Sequence, residues 1–245
     1  MKEMKLVLVR HGQTTSNTTR ALDTAMPGAP LDETGHTQAQ LMAQNFEELV
    51  GSAPDAIFVS PLIRARQTAA ALEEKYGLTA TVLPGIAEIS AGDMEMSETD
   101  EHIFTYLGTI LNWIQGDLAQ QMPGGETGYQ VMQRFSQAIV AGVETAYAQG
   151  QETVVFVAHG ALCRFIAHTL SKDITPELVA TFPMHNASTT TFVCSGECPN
   201  DLAELLNQNW QALTWSDKPL NEYSLEEMKT DPVVSKLRPA KDPLR

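Results

Sequence analysis

The sequence predicts an α/β protein: a three-layer α/β/α sandwich with a mostly parallel central sheet and an inserted helical lid. Short apolar runs, β-branched in part, recur along the chain with helical patterns between them. Such alternation implies parallel strands covered on both faces. One stretch, residues 84–125, breaks the alternation and reads as the insertion.

"MKLVLV" (4–9) and "DAIFVS" (55–60) read as buried strands, and "TATVL" (79–83) as a weaker one. "ETVVFVAH" (152–159) is the strongest strand signal; "STTTFVC" (188–194) and "QALTWS" (211–216) are further candidates. Residues 34–50 show Ala39, Met42, Phe46 and Leu49 near helical spacing. A second helix over 61–76 places Pro61 in its first turn and stops before Gly77, a C-cap. Residues 126–149 form a long amphipathic pattern, and 161–170 continue as a helix from the "HG" turn. Within 84–125, an acidic stretch precedes "HIFTYLGTILNWI" (102–114), which carries Ile103, Leu107, Ile110 and Ile114 on one face. This segment is expected to cover one end of the sheet. The tail carries Pro219, Pro232, Pro239 and Pro243 and reads as a surface wrap or a partly disordered segment. The expected organisation is one domain over 1–215, a lid at about 84–125, and a tail over 216–245.

At 43% hydrophobic and 19% charged residues, the 245-residue chain has the balance of a soluble globular protein. No apolar run reaches the roughly 18 residues of a membrane span, and no signal-peptide pattern opens the chain. The three cysteines, Cys163, Cys194 and Cys198, are too few for a disulfide framework and fit a reducing, cytoplasmic setting. Cys194 and Cys198 lack a second ligand pair at zinc spacing, so no metal is expected. A net charge of −14 disfavours nucleic acid as partner. The charge is uneven: from Tyr76 to Gln133 there is no Lys or Arg, against eight acids.

The informative cations stand at strand ends. Arg10 and His11 follow the first strand; Ser60 leads into "PLIRARQT" with Arg64 and Arg66; His159 ends the strongest strand. Ligands of open α/β sheets bind at the carboxyl ends of the strands. If these strands are neighbours, Arg10, His11, Arg64 and His159 converge, and an anion is needed between them. A phosphoryl group fits, since it takes bidentate hydrogen bonds from Arg. Gly12 and Gly160 are expected to let the backbone approach it. A neutral imidazole there is also a nucleophile toward phosphorus. Glu88, at the start of the lid, is the candidate acid for the departing alkoxide.

The motifs "LVRHGQT" with Asn17, "PLDETGHTQAQ", "VSPLIRARQTA", "AEISAGDME", "PGGET" and "VAHGALCR" occur in the order, and roughly the spacing, of the histidine phosphatase (phosphoglycerate-mutase-like) superfamily. The resemblance covers residues 5 to about 170, and "NAS" at 186–188 is similar too. It implies a metal-independent and cofactor-independent phosphohistidine mechanism. His11 would be the nucleophile, with Arg10, Arg64 and His159 on the phosphoryl oxygens. Asn17 and Thr14 would orient them, with Gly160 beside them, and Glu88 would be the acid and then the base.

The family holds phosphatases and mutases. A mutase must hold a second anionic group, and 76–133 offers no base for one. Ala87, Met94 and Met96 also stand where the family frequently has Arg, Trp and Gly. The expectation is therefore a phosphatase acting on a small-molecule phosphate monoester. The alternatives are a phosphoglycerate mutase with a basic tail, or a catalytically silent phospho-ligand or partner-binding module. Edge strands open to pairing make a homodimer one expected state. Among the other basic residues, Arg66 and Arg164 read as structural, Arg66 through pairing with an acid. His36, His102, His168 and His185 read as surface or core, with a place near the pocket as the alternative for His185 alone, just before "NAS", and the acidic stretch 93–101 reads as a solvated face.

Overall fold

In the computed structural model, residues 3–195, 202–207 and 210–223 are described. The two strands richest in aliphatic residues occupy the middle of a six-stranded sheet. They are β1 (Glu3–Arg10) and β4 (Thr153–Ala158), and every residue of β4 is buried. Around them stand β2 (Ala56–Val59), β3 (Thr81–Val82), β5 (Thr189–Ser195) and β6 (Gln211–Ala212), in the order β3-β2-β4-β1-β5-β6. β1, β2, β3 and β4 run parallel, while β5 and β6 join antiparallel at one side.

The period of two along each strand divides the core into two layers. Leu6, Leu8, Phe58 and Phe156 face one layer, with α4 (Asp100–Ile114), α5 (Gly128–Ala148) and α6 (Gly160–Leu170). Val7, Val9, Ile57, Val59, Val155 and Val157 face the other, with α2 (Glu33–Val50) and α3 (Ile63–Tyr76). Phe165 of α6 anchors the first layer, with ring centroids 5.7 Å from Phe135 and 5.8 Å from Trp113. Each such buried aromatic contributes roughly 1.5–3 kcal/mol.

Helix starts follow their caps. Asp32 accepts from the Gly35 amide to begin α2, and Thr127 and Gln130 form a reciprocal capping box at α5. α3 departs from expectation: its N-cap is Leu62, so Pro61 lies ahead of the helix. The extended Leu62 backbone lets its amide donate to the Ser60 hydroxyl, and that turn aims Ser60 at the site described below. Three short helices, α1 (Thr15–Thr19), α7 (Pro176–Thr181) and α8 (Leu202–Asn207), complete the described set.

Residues 84–125 hold two single 3₁₀ turns, Pro84–Ile86 and Gly92–Met94, followed by α4. The segment read as one strand over 211–216 is divided. β6 pairs with β5, whereas β7 (Thr214–Trp215) pairs with β8 (Lys218–Pro219) in a separate ribbon. The expected tail is tied down at its start, because Asp217 accepts from the amide and hydroxyl of Thr189 at 2.7 and 2.8 Å. Cys198 and residues 224–245 lie outside the described residues. Among those described, no helix is long and apolar enough to cross a membrane.

Candidate active site

β1, β2 and β4 are adjacent and parallel, so their carboxyl ends share one edge. The amides of His11 and Ser60 donate to Ala158 and Val157 of β4, each at 3.0 Å. This register brings His11, Ser60 and His159 together from distant parts of the chain. The rings of His11 and His159 lie 5.2 Å apart.

His11 is held in one tautomer. Its Nδ1 lies 2.7 Å from the Gly12 carbonyl, which can only accept, so Nδ1 carries the proton. Nε2 is left with a lone pair, which meets the Nε–H of Arg64 at 3.1 Å. Burial, and then Arg64 and Arg10, hold the imidazole pKa well below 6.5. The ring is therefore neutral near pH 7.

Arg64, in the first turn of α3, is 3% exposed. It donates to the Asp23 carbonyl at 2.8 Å and stands 3.8 Å from its carboxylate. The terminal nitrogen nearest that carboxylate, Nη1, is buried and makes no hydrogen bond among the described residues. Arg10 donates to the Met184 carbonyl at 2.5 Å, and its Nε is buried with no hydrogen-bond partner among the described residues. Desolvation first, then Arg164, lower the Arg10 pKa to about 10. These dry, under-partnered guanidiniums favour an anion beside them.

His159 is fully buried beside His11 and is not among the residues that line the cavity described below. Its Nε2 is 2.6 Å from the Ser60 hydroxyl. That oxygen already accepts from the Leu62 amide, and the ring nitrogen is the acceptor offered to its proton among the described residues. Ser60 thus donates to Nε2, and the proton of the neutral ring sits on the unpartnered Nδ1. Burial, then Arg64 and His11, keep this imidazole neutral as well. The sequence marked Ser60 only as a strand end; the structure assigns it this contact.

A cavity of about 200 Å³ opens over His11, lined by Arg10, Thr14, Asn17, Arg64, Glu88 and Gly160 among others. Thr14 and Asn17 form the capping box of α1. Asn186, from the "NAS" stretch, fastens them to the strand end by donating to Asn17 Oδ1 and to the His11 carbonyl. The Glu88 carboxylate rests on the start of α6. Oε1 accepts from the Ile89 and Leu162 amides at 2.9 and 3.0 Å, and Oε2 accepts from Ala161 at 3.2 Å. Oε2, with the single long contact, retains a lone pair that can carry a proton.

Gly12 serves packing rather than ligand approach, whereas Gly160 is in the cavity wall and also leaves room for Arg10. A Cβ on Gly12 would sit 2.5 Å from the Gly35 carbonyl of α2, and one on Gly160 would sit 3.0 Å from Arg10 Nε.

Arg134 of α5 fixes the backbone that presents Glu88. It donates to the carbonyls of Gly85, Ala87 and Glu88 and makes a two-pronged pair with Glu126 of the "PGGET" turn, at 2.6 and 3.0 Å. Its sequence signal was its place as the first cation after the base-free stretch.

Arg164, expected to be structural, lines the cavity with a buried Nε that has no partner among the described residues. Arg66 is exposed and makes no ion pair among the described residues. His185 is exposed and away from the cavity lining, while His102 and His168 bond to Ser97 and Ile174. The stretch 93–101 is not wholly solvated, because Glu95 accepts from the amides of Thr24 and Ala25 and from the Thr24 hydroxyl. Among the described residues, no cluster of three or more His, Cys, Asp or Glu could hold a metal.

The model of the histidine phosphatase superfamily (branch 1) matches residues 6–208. The chain belongs to that superfamily. A relative in Mycobacterium tuberculosis, the PE-PGRS family protein PE_PGRS11, is 31% identical over 224 residues; the match takes 89% of this chain but 37% of that protein. Glucosyl-3-phosphoglycerate phosphatase of the same organism is 32% identical, over 78% of this chain and 85% of its own. The solved structure of mycobacterial glucosyl-3-phosphoglycerate phosphatase with VO3 superposes with a TM-score of 0.67 at 29% identity, covering 87% of this chain and 98% of that one. A 2,3-bisphosphoglycerate-dependent phosphoglycerate mutase of Nitrobacter hamburgensis is 31% identical, over 73% of this chain and 86% of its own. The relatives of this chain thus include both phosphatases and mutases.

Proposed function

We propose that this protein is a phosphatase that hydrolyses a small-molecule phosphate monoester through a phosphohistidine on His11. The observation that carries the reading is the His11 tautomer. A neutral ring, with Nδ1–H spent on a carbonyl, presents its Nε2 lone pair inside an arginine-lined cup.

In the first step Nε2 forms a bond to phosphorus as the bond from phosphorus to the ester oxygen breaks. The departing oxygen takes the proton from Glu88 Oε2. Arg64 shifts its donor from Nε2 to a phosphoryl oxygen. Arg10, Asn17 and Thr14 hold the others from the cavity wall, and the His159 Nδ1–H, buried beside the His11 ring and without a partner among the described residues, takes the oxygen nearest His11. In the second step Glu88 removes a proton from water, whose oxygen attacks phosphorus and releases His11. Transition-state charge rests on the two arginines, so neither step needs a metal.

Hydrolysis is favoured over transfer between two glycerate positions by the shortage of cations. The walls contributed by 76–133 hold no Lys or Arg. Arg134 is engaged with Glu126, so among the described residues Arg164 is left as the cation beyond the phosphoryl contacts. A silent binding module would not need a nucleophilic tautomer or an acid beside it.

The test is turnover of a chromogenic phosphate monoester by the wild type and by His11→Ala. Loss of turnover in the variant is expected. Equal turnover would remove His11 from the mechanism, and none in either protein would favour the binding module.

A further inference from the structure

Beside the phosphoryl cup lies a second cavity, of about 310 Å³, between α4, α6 and α7. Its walls come from Leu107, Ile110 and Leu111 on one side and Val179, Ala180 and Phe182 on the other. It shares Leu107, Ala161 and Arg164 with the cup. The seam falls beside the proposed acid, because the Ala161 amide is bonded to Glu88 Oε2. An oxygen protonated by Oε2 must lie at that seam, and the carbon chain it carries leads away from the arginines into the apolar cavity. Arg164 stands one turn further along α6, in contact with both spaces. Its Nε is buried and without a partner among the described residues, and desolvation lowers its pKa.

We propose that this cavity is the leaving-group subsite. The preferred substrate is then the phosphate monoester of an apolar alcohol, with an oxygen near the ester carbon that accepts from Arg164. The occupant is argued from continuity: the groove begins where the proposed proton donor ends. A second phosphate or carboxylate deep in the groove would meet aliphatic walls and, among the described residues, no cation beyond Arg164.

This inference rests on the phosphatase reading, and kcat/KM along a series of linear alkyl phosphates from ethyl to octyl separates the two. A rise of up to about fourfold per added methylene, until the groove is filled, is expected from the burial of each group. Ala180→Phe narrows the groove, and the octyl-to-ethyl ratio of kcat/KM should collapse toward one. A 2-hydroxyoctyl phosphate should exceed octyl phosphate by about tenfold through a hydrogen bond to a charged donor, and Arg164→Met should erase that preference. If the wild type hydrolyses every ester at one rate, or Ala180→Phe leaves the ratio intact, the subsite assignment is wrong while the phosphatase reading stands. If no ester is hydrolysed, the phosphatase reading itself fails.

Discussion

Ser60→Ala removes one hydroxyl from the floor of the site and touches none of the groups that line the cavity. The hydroxyl lies 2.6 Å from His159 Nε2, and both residues are fully buried. Without it Nε2 has no donor, and an unsatisfied buried acceptor costs about 1–3 kcal/mol. Nothing then holds the ring's proton on Nδ1, and the tautomer with its proton on Nε2 becomes populated. Nδ1 then presents a lone pair to a phosphoryl oxygen instead of a proton. Loss of a hydrogen bond of that size from the transition state lowers kcat about ten- to a hundredfold, at about 1.4 kcal/mol per decade. The assays are kcat on a chromogenic monoester and ¹⁵N shifts of labelled histidine, which report the tautomer directly. The wild-type His159 ring should show its proton on Nδ1, and the variant should show a shifted tautomer with reduced kcat. An unchanged tautomer together with an unchanged kcat would refute the role given to Ser60.

Arg134→Gln strips donors from three carbonyls and from Glu126. Stability should fall by about 2–3 kcal/mol in urea denaturation, and kcat should fall more than KM changes, because the strand of chain carrying Glu88 loosens. Stability should also depend on pH through the two buried imidazoles, whose folded pKa values are depressed. Below about pH 6.5 the unfolded chain takes up protons that the folded chain refuses, so stability declines as pH falls, by at most about 1.4 kcal/mol per pH unit for each ring. Urea denaturation at pH 7.5, 6.5 and 5.5 should show a shallower decline in His11→Gln than in the wild type, and coincident declines would mean that His11 protonates in the folded protein.

What the sequence made legible was what repeats along it. The alternating aliphatics of β1 and β4 predicted central parallel strands, and the basic residues at three strand ends predicted a convergence that the register of β1, β2 and β4 produces. Glu88 is likewise in the cavity wall. What stayed hidden depends on side-chain reach across elements. Nothing in "SPLI" says that the chain remains extended through Leu62 so that Ser60 can face His159. Arg164 looked like an ordinary residue on the helix after His159, because its place in the cup wall depends on α4 packing across α6 and bringing Tyr106 and Leu107 into the same wall. Gly12 was misread for a related reason: the space it leaves is filled by Gly35, 23 positions onward in the chain, not by a ligand. The short helices α1 and α7 gave too few turns for a period, and the 211–216 strand broke because β6 follows β5 while β7 turns away to β8.

The central claim is that phosphorus passes through Nε2 of His11. Rapid mixing with a monoester, alkaline quenching and peptide mass spectrometry test it directly, since a phosphoramidate survives base and is lost in acid. One acid-labile phosphoryl group on the peptide containing His11, absent in His11→Ala, is the predicted result. Steady turnover with no phosphorylated peptide, or with the label on another residue, would contradict the account.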